Sequence, residues 1–463
     1  MQALAKMTWG RKVAAIVCIS VATVAANAQT NLLSWDKTSG RVDANIHNEA
    51  LWPLLEDIAA KTGWHIFVEP GANRFASTKF KDLPAGDALK MLLGDLNFAF
   101  VPKDNAQPEL YVFRTTMKNA TRQVVAGKPA KHVPNELIVK VKPGTNIAAL
   151  ARLLGAKIVG SIEKDGIYEL QFGDASATDA ALSQLQSNSD VQAVGYNNYF
   201  DPPPTAQASS SGGTPLSLSV SPPSTSNGKV TVALIDTGVD AQALGADAAQ
   251  FILPQINADG SSTPSSDSGP THGTAMAAQI LSTIQNIQST MGNNSTPVQI
   301  QPINVYPDSN DQTTTMDVLN GLEQAAQAKI PIINMSLGSS GDSPVLDAFV
   351  AELTSQGYTI FAAAGNTPTG EPYYPAADKG VYAVTALGQP GQLASYANTW
   401  PDSTMMALPG TGSFIYNGQS WVVQGTSTST AIASGIDAAY TANGWSQTQI
   451  SKGMANKWPV PIQ

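Results

Sequence analysis

Four side chains in the C-terminal half of the chain have the types and the order to make and break an acyl bond: Asp236, His272, Asn366 and Ser427. A hydroxyl such as that of Ser427 is a weak nucleophile until a base removes its proton, and an imidazole serves as that base when an acid holds its other nitrogen. An asparagine amide can then donate to the oxyanion of the tetrahedral intermediate. Singly, each residue also has a plainer reading. Asp236 in Asp236-Thr237-Gly238 and Asn366 after Gly365 are turn formers, and His272 is an ordinary polar group near a helix start. Every hydroxyl in Gly425-Thr426-Ser427-Thr428-Ser429-Thr430 can cap a helix. The four histidines are His47, His65, His132 and His272, and only the last lies beyond residue 228, so the base in that region is forced. A metal centre there lacks a second histidine and any cysteine.

The elements that must position these groups are legible as apolar and small-residue runs. Val230 to Ile235 ends in Asp236, and two further runs end in Asn334-Met335-Ser336-Leu337-Gly338 and Ala363-Ala364-Gly365-Asn366. Continuous apolar runs suit central parallel strands buried on both faces. The small residues from Gly273 to Leu281 and from Ala431 to Ala438 would let two helices lie close to such a sheet. An α/β sheet presents its chemistry at the carboxyl ends of its strands, which is where these motifs fall. A helix start at Ser427 adds N–H groups and a dipole that favour developing negative charge. The combination reads as a serine hydrolase.

At 463 residues the chain has room for about three domains. From residue 215 onward it carries 5 Lys, no Arg and 16 Asp and Glu, a balance of -11 that would repel nucleic acid and anionic membrane surfaces. Residues 1–28 read as an export signal, with Lys6, Arg11 and Lys12 ahead of the apolar run Val13 to Ala26 and a small-x-small pattern at Ala26-Asn27-Ala28. That signal implies a secreted or periplasmic protein. The only cysteine, Cys18, lies inside it, so the processed chain has no disulfide.

Residues 31–116 are predicted to form a small α+β module in β-α-β-β-α-β-β order, with helical stripes at Leu51, Leu54, Leu55, Ile58, Ala59 and at Ala88, Leu89, Leu92, Leu93. A basic linker, 117–133, contains Lys118, Arg122, Lys128 and Lys131. A second α+β unit, 134–200, is expected to have strands Leu137–Val141, Lys157–Ile162, Ile167–Phe172 and Val191–Tyr196 and helices Ile147–Leu154 and Thr178–Gln186. Residues 201–228 are rich in Pro, Ser and Gly and read as an exposed linker open to cleavage, with no cut site legible. The remainder, 229–463, is the catalytic α/β domain.

In this order the four motifs resemble those of the subtilisin-like serine protease family, over the 235 residues from Lys229 to the C-terminus. The resemblance implies a mostly parallel sheet with helices on both faces, behind two small α+β domains. It implies a secreted endopeptidase acting on protein or peptide substrates, with Asp236, His272 and Ser427 as triad and Asn366 in the oxyanion hole. Ser336, Leu337 and Gly338 resemble the edge that pairs with substrate backbone, and Ala364 and Gly365 are assigned to substrate binding with them. The run from Pro134 to Lys140, with Gly155 to Val159, resembles the family's inhibitory propeptide, so the chain is expected to be a zymogen inhibited by its own segment. That unit carries 5 basic and 7 acidic side chains, so its docking on an acidic domain cannot rest on net charge.

Departures from the family pattern concern tuning. Thr428 and Ala431 stand where the family commonly has Met and Pro, and Ala275-Met276 where it often has His-Val. Tyr373 lies near a glycine that often floors the first specificity pocket; a ring filling that pocket implies small residues before the scissile bond. The resemblance allows calcium, which is common in the family, but no acidic cluster here is assigned to it and no cofactor is identified. Residues 31–116 resemble the short N-terminal domain of secretins and some outer-membrane receptors, which implies a cell-envelope partner. The alternatives are a catalytically silent scaffold of the same fold and an envelope adaptor carrying the protease as cargo.

Overall fold

In the strand Val230–Asp236 successive side chains point to opposite faces of a sheet, and both faces are buried: Val232 and Leu234 enter one core, Ala233 and Ile235 another. Ile332 and Ile333 divide in the same way, as do Phe361 and its neighbours Ile360 and Ala362. The computed structural model describes residues 32–457 apart from 38, 70–74, 104–106, 121, 125–131, 201–203, 211–229, 259–268, 292–297, 307–311, 390 and 401–404. The export signal therefore lies outside the described residues. Among those described, no helix is long and apolar enough to cross a membrane.

The eight-stranded sheet runs Ile256–Asn257, Val298–Asn304, Val230–Asp236, Ile332–Met335, Thr359–Ala363, Tyr382–Gln389 and Gln392–Leu393, with Met406–Pro409 also pairing Tyr382–Gln389. Every pairing is parallel except that of Tyr382–Gln389 with Gln392–Leu393. Helices His272–Met291 and Thr426–Ala442 supply one core, and Thr315–Gln327 with Pro344–Ser355 the other. This is the α/β architecture the sequence implied. Chain order reverses at Val230–Asp236, which sits between the later strands Val298–Asn304 and Ile332–Met335. A crevice opens at the carboxyl ends of strands where order reverses, so Asp236 and Ser336 end up on its two sides.

The first small unit has two sheets, Leu32–Asp36, Arg41–Ala50, Phe75–Pro84 and Asn97–Val101, Glu109–Phe113, His65–Val68, Arg122–Val124. Helices Leu51–Thr62 and Ala85–Leu93 bury Leu54, Leu55, Ile58, Leu92 and Leu93 between them. Two strands escaped the sequence. Leu32–Asp36 pairs with the start of Arg41–Ala50, and Arg122–Val124 pairs with His65–Val68 from inside the stretch read as a basic linker. Short edge strands are held by backbone pairing and tolerate charged side chains, so polarity hid the second one.

The second small unit is a four-stranded antiparallel sheet in the order Val191–Asn198, His132–Val141, Ile167–Gln171, Lys157–Ile162. Its helices Ile147–Leu154 and Ala175–Gln186 accompany one buried cluster containing Leu137, Val139 and Leu170. The opposite face presents Ile138, Ile162 and Ile167 to the second core of the large domain, where they pack with Phe349, Val350 and Leu322. Asn197 Oδ1 accepts from the Met316 N–H at 3.1 Å, satisfying one of the free first-turn amides of helix Thr315–Gln327. Asn198 donates from its backbone to Thr315 Oγ1 at 3.1 Å and from its side chain to the Asp342 carbonyl at 2.8 Å. Ion pairs Lys140–Glu352 and Lys164–Glu323 flank the contact at 2.9 and 2.7 Å. Burying a residue such as Ile138 contributes about 1.5–3 kcal/mol, whereas each ion pair joins an exposed side chain to a largely buried one, Lys140 or Glu323, whose desolvation offsets much of the attraction. The apolar face and the helix-end hydrogen bonds thus carry the docking, which net charge could not.

Glu169 of this unit is pushed up to about 8, chiefly by burial, then by its hydrogen bond to Glu136 and the charges of Glu136 and Asp317. An exposed glutamate titrates near 4.5. In the window between, the folded chain holds more protons than the unfolded chain, so stability is greatest at or below the lower value and falls as pH rises toward the upper one. We expect the melting temperature of the full chain to decline between pH values of about 5 and 8, and Glu169→Gln to flatten that decline. Equal slopes in both chains would show that Glu169 does not carry it.

Candidate active site

His272 is the first residue of helix His272–Met291, and Asp236 the last of strand Val230–Asp236; both are buried. His272 Nδ1 lies 2.8 Å from Asp236 Oδ1 and 3.0 Å from Oδ2. An ionised carboxylate only accepts, so the arrangement assigns the proton to Nδ1 and leaves Nε2 as an acceptor. Nε2 has no hydrogen-bond partner among the described residues. Gly273 is what allows the helix so close to the Asp-Thr-Gly turn: a Cβ there would stand 2.2 Å from the Thr237 carbonyl oxygen. Three threonines then pin turn to helix. Gly273 N–H donates to Thr237 Oγ1, Thr271 Oγ1 to the Gly238 carbonyl, and Asp240 N–H to Thr274 Oγ1.

Ser427 is the second residue of the unbroken helix Thr426–Ala442, whose N-cap, Gly425, has no side chain with which to cap it. This helix packs along the histidine helix, and Gly435 makes the approach feasible, since a Cβ there would meet the Ile280 carbonyl at 2.9 Å. Asn366 Oδ1 accepts from Thr426 N–H at 2.8 Å and from Thr426 Oγ1 at 3.1 Å, which fixes the amide beside the helix start. The Ser427 hydroxyl donates to the Ser336 carbonyl at 3.0 Å rather than to the imidazole. A buried hydroxyl takes the nearest acceptor, and the end of strand Ile332–Met335 supplies one. The hydroxyl proton must turn from that carbonyl toward the base for reaction, and catalytic hydrogen bonds commonly form only once substrate binds.

Ser434 and Asn398 carry no motif, and the positioning role of Asn334 was not read from its run. Ser434 Oγ donates to Asn334 Oδ1, Asn334 Nδ2 to Ser336 Oγ, and Ser336 Oγ to the Ser427 carbonyl, a buried chain of bonds at 2.9, 2.9 and 3.0 Å tying the nucleophile helix to the cleft edge. Asn398 bonds the carbonyls of Ala364 and Glu371 and, through its N–H, that of Gly365. Only a polar residue inside an apolar run, as at Asn334, gave any sequence signal.

Between the two cleft edges stands Tyr373. Its hydroxyl donates to the Gly338 carbonyl at 2.9 Å, and its ring lies where a Cβ on Gly338 would come within 2.2 Å and one on Gly365 within 3.1 Å. Leu337 is buried. For calcium, no three His, Asp, Glu or Cys side chains are grouped to hold a metal among the described residues.

Comparison with known proteins places this geometry. Residues 227–457 match the subtilase family, and residues 118–197 match the fervidolysin N-terminal prodomain. A thermostable alkaline protease from Halalkalibacterium halodurans is 32% identical over 212 residues, 45% of this chain and 55% of the relative. Subtilisin Savinase from Lederbergia lenta is 28% identical over 235 residues, 49% of this chain and 82% of the relative. The chain thus spans little more than half the length of the alkaline protease. The crystal structure of fervidolysin from Fervidobacterium pennivorans superposes with a TM-score of 0.54 at 16% identity, covering 69% of this chain and 56% of that one, a likeness of fold. Residues 227–457 thus form a domain of the subtilase family, carried behind a fervidolysin-type prodomain.

Proposed function

We propose that this chain is an exported serine endopeptidase made as a zymogen, with Ser427 as nucleophile, His272 as general base and then acid, and Asp236 as the group that orients the imidazole. The observation that carries the reading is the buried Asp236–His272 pair, with Nε2 an acceptor that no described residue engages. Ser427 Oγ attacks the substrate carbonyl as its proton passes to Nε2. The oxyanion takes hydrogen bonds from Asn366 Nδ2 and the Ser427 N–H, the imidazolium is held by Asp236, and its proton leaves with the amine. Water then hydrolyses the acyl-enzyme by the reverse sequence of proton transfers.

The position of the Tyr373 ring supports a preference for small residues before the scissile bond, because it occupies the space between Gly338 and Gly365. Trypsin is a suitable means of trimming the N-terminal units, since 5 of the 26 Lys and Arg residues lie from residue 215 onward. A fluorophosphonate should label Ser427 in the trimmed protein. That protein should cleave a peptide anilide ending in Ala at least about tenfold faster than one ending in Phe. An unlabelled Ser427 defeats the hydrolase reading, and equal rates defeat the pocket reading. For residues 31–116 the element order supports docking to a cell envelope. Retention of the full chain by isolated envelopes, and loss of that retention when these residues are deleted, is its test.

A further inference from the structure

We infer that Asn398 is the positioning residue that sets how large a side chain the cleft accepts before the scissile bond, by holding the loop that leads to Tyr373 against the strand end that leads to Asn366. The inference rests on the hydrolase and pocket readings above and names what enforces them. Past the end of strand Thr359–Ala363 the chain turns out through residues 366–372 and returns at Tyr373. The two ends of this loop meet: a Cβ on Gly365 would lie 3.1 Å from Tyr373 Cδ1. A loop closed so tightly needs partners for the backbone groups that face inward.

Asn398 supplies them. It is 1% exposed, and its amide is bonded to both arms of the loop. Nδ2 donates to the Ala364 carbonyl at 3.0 Å on the outgoing arm and to the Glu371 carbonyl at 2.9 Å on the returning arm. Oδ1 accepts from the Gly370 N–H at 3.1 Å and from Thr369 Oγ1 at 3.4 Å. Its backbone is fixed as well. The Asn398 N–H donates to the Gly365 carbonyl at 3.1 Å, and the Asn398 carbonyl accepts from Thr385 Oγ1 at 2.8 Å. Gly365 then ties this brace to the nucleophile helix, because its own N–H donates to Thr426 Oγ1 at 3.2 Å, and Thr426 donates in turn to Asn366 Oδ1.

The Tyr373 ring is therefore held at two places. Its hydroxyl is bonded to the Gly338 carbonyl on the opposite edge, and its backbone is placed by the braced loop. Without the Asn398 amide the loop keeps only the first hold, so the ring can shift and admit a larger side chain. Asn366 is fixed separately, from Thr426, and the residue 398 N–H to Gly365 survives any side-chain change. Loss of the amide should thus widen the choice of substrate more than it slows turnover of a small residue. General damage to the site lowers every rate, whereas a loosened loop raises one of them.

The test takes full-length wild type, Asn398→Ala, Asn398→Ser, Tyr373→Ala and Tyr373→Ala/Asn398→Ala, trims each with trypsin and titrates it with fluorophosphonate. Rates per labelled site are then measured on peptide anilides ending in Ala and in Phe. Serine is too short to span the loop, so both Asn398 variants should cut the wild-type preference for Ala from about tenfold to about threefold. In both, kcat/KM for the Phe anilide should rise through a lower KM while kcat for the Ala anilide stays within about tenfold of wild type. Tyr373→Ala should abolish the preference, and adding Asn398→Ala should change it no further, since the two residues act through one ring. Asn398 variants that label and keep the wild-type preference, or a double variant in which the two effects multiply, would overturn the inference. Failure of both Asn398 variants to label where wild type does would also overturn it, by making the residue a support of the fold alone. A Tyr373→Ala chain that labels and keeps the preference would overturn the pocket reading and this inference with it, and absence of label in wild type would overturn the hydrolase reading.

Discussion

Ser427→Ala should lower turnover of a peptide anilide by the trypsin-trimmed protein about a millionfold, the usual cost of losing the nucleophile of a triad. The loss should be specific to catalysis. Ser427 Oγ donates to the Ser336 carbonyl, and removing one donor from a carbonyl costs about 1 kcal/mol. Alanine partly offsets that as a better helix former at the start of Thr426–Ala442. The melting temperature should therefore stay within a few degrees of wild type. The neighbouring hydroxyl of Ser429 offers no substitute, because it donates to the Leu408 and Pro409 carbonyls on another strand. A residual rate within tenfold of wild type would mean that the acyl-enzyme forms on some other side chain.

Asp236→Asn should cost about four orders of magnitude in kcat with little change in KM, because it reverses the tautomer of the base while keeping its place. In the native pair the carboxylate accepts from His272 Nδ1 and also from the Thr237 N–H at 2.7 Å. An asparagine keeps one acceptor oxygen for Thr237 and turns its NH2 toward the imidazole. Nδ1 must then accept, the proton moves to Nε2, and the nitrogen needed to deprotonate Ser427 is capped. The site is small enough to hold asparagine without repacking, so folding should be kept. A loss under tenfold in a folded variant would show that the imidazole is oriented by something other than Asp236.

Both expectations draw on residues readable from the chain alone, for a physical reason. Asp236, His272 and Asn366 sit where an apolar run stops or a small-residue helix begins, and the local pattern of burial fixes such boundaries. His272 had no competitor beyond residue 228, so its role followed by elimination. Periodicity likewise exposed the helices Ile147–Leu154 and Ala85–Leu93, whose apolar faces are set within a few turns of chain.

What escaped the sequence depends on partners distant along the chain. The strand Arg122–Val124 exists because His65–Val68 has an open edge, and the strand Gln207–Ala208, inside the stretch read as an exposed linker, because Gln419–Gln424 has one. Neither carries an apolar pattern of its own. The prodomain seats itself through an isoleucine face and the helix start at Thr315 and Met316, features separated by more than a hundred residues that net charge does not encode. The resting direction of the Ser427 hydroxyl was decided by a carbonyl 91 positions away. Residue order along the chain shows which groups can do chemistry and which elements carry them. The place of Tyr373 between Gly338 and Gly365 follows from the fold alone, because edges and loops are ordered by contacts that no local window contains.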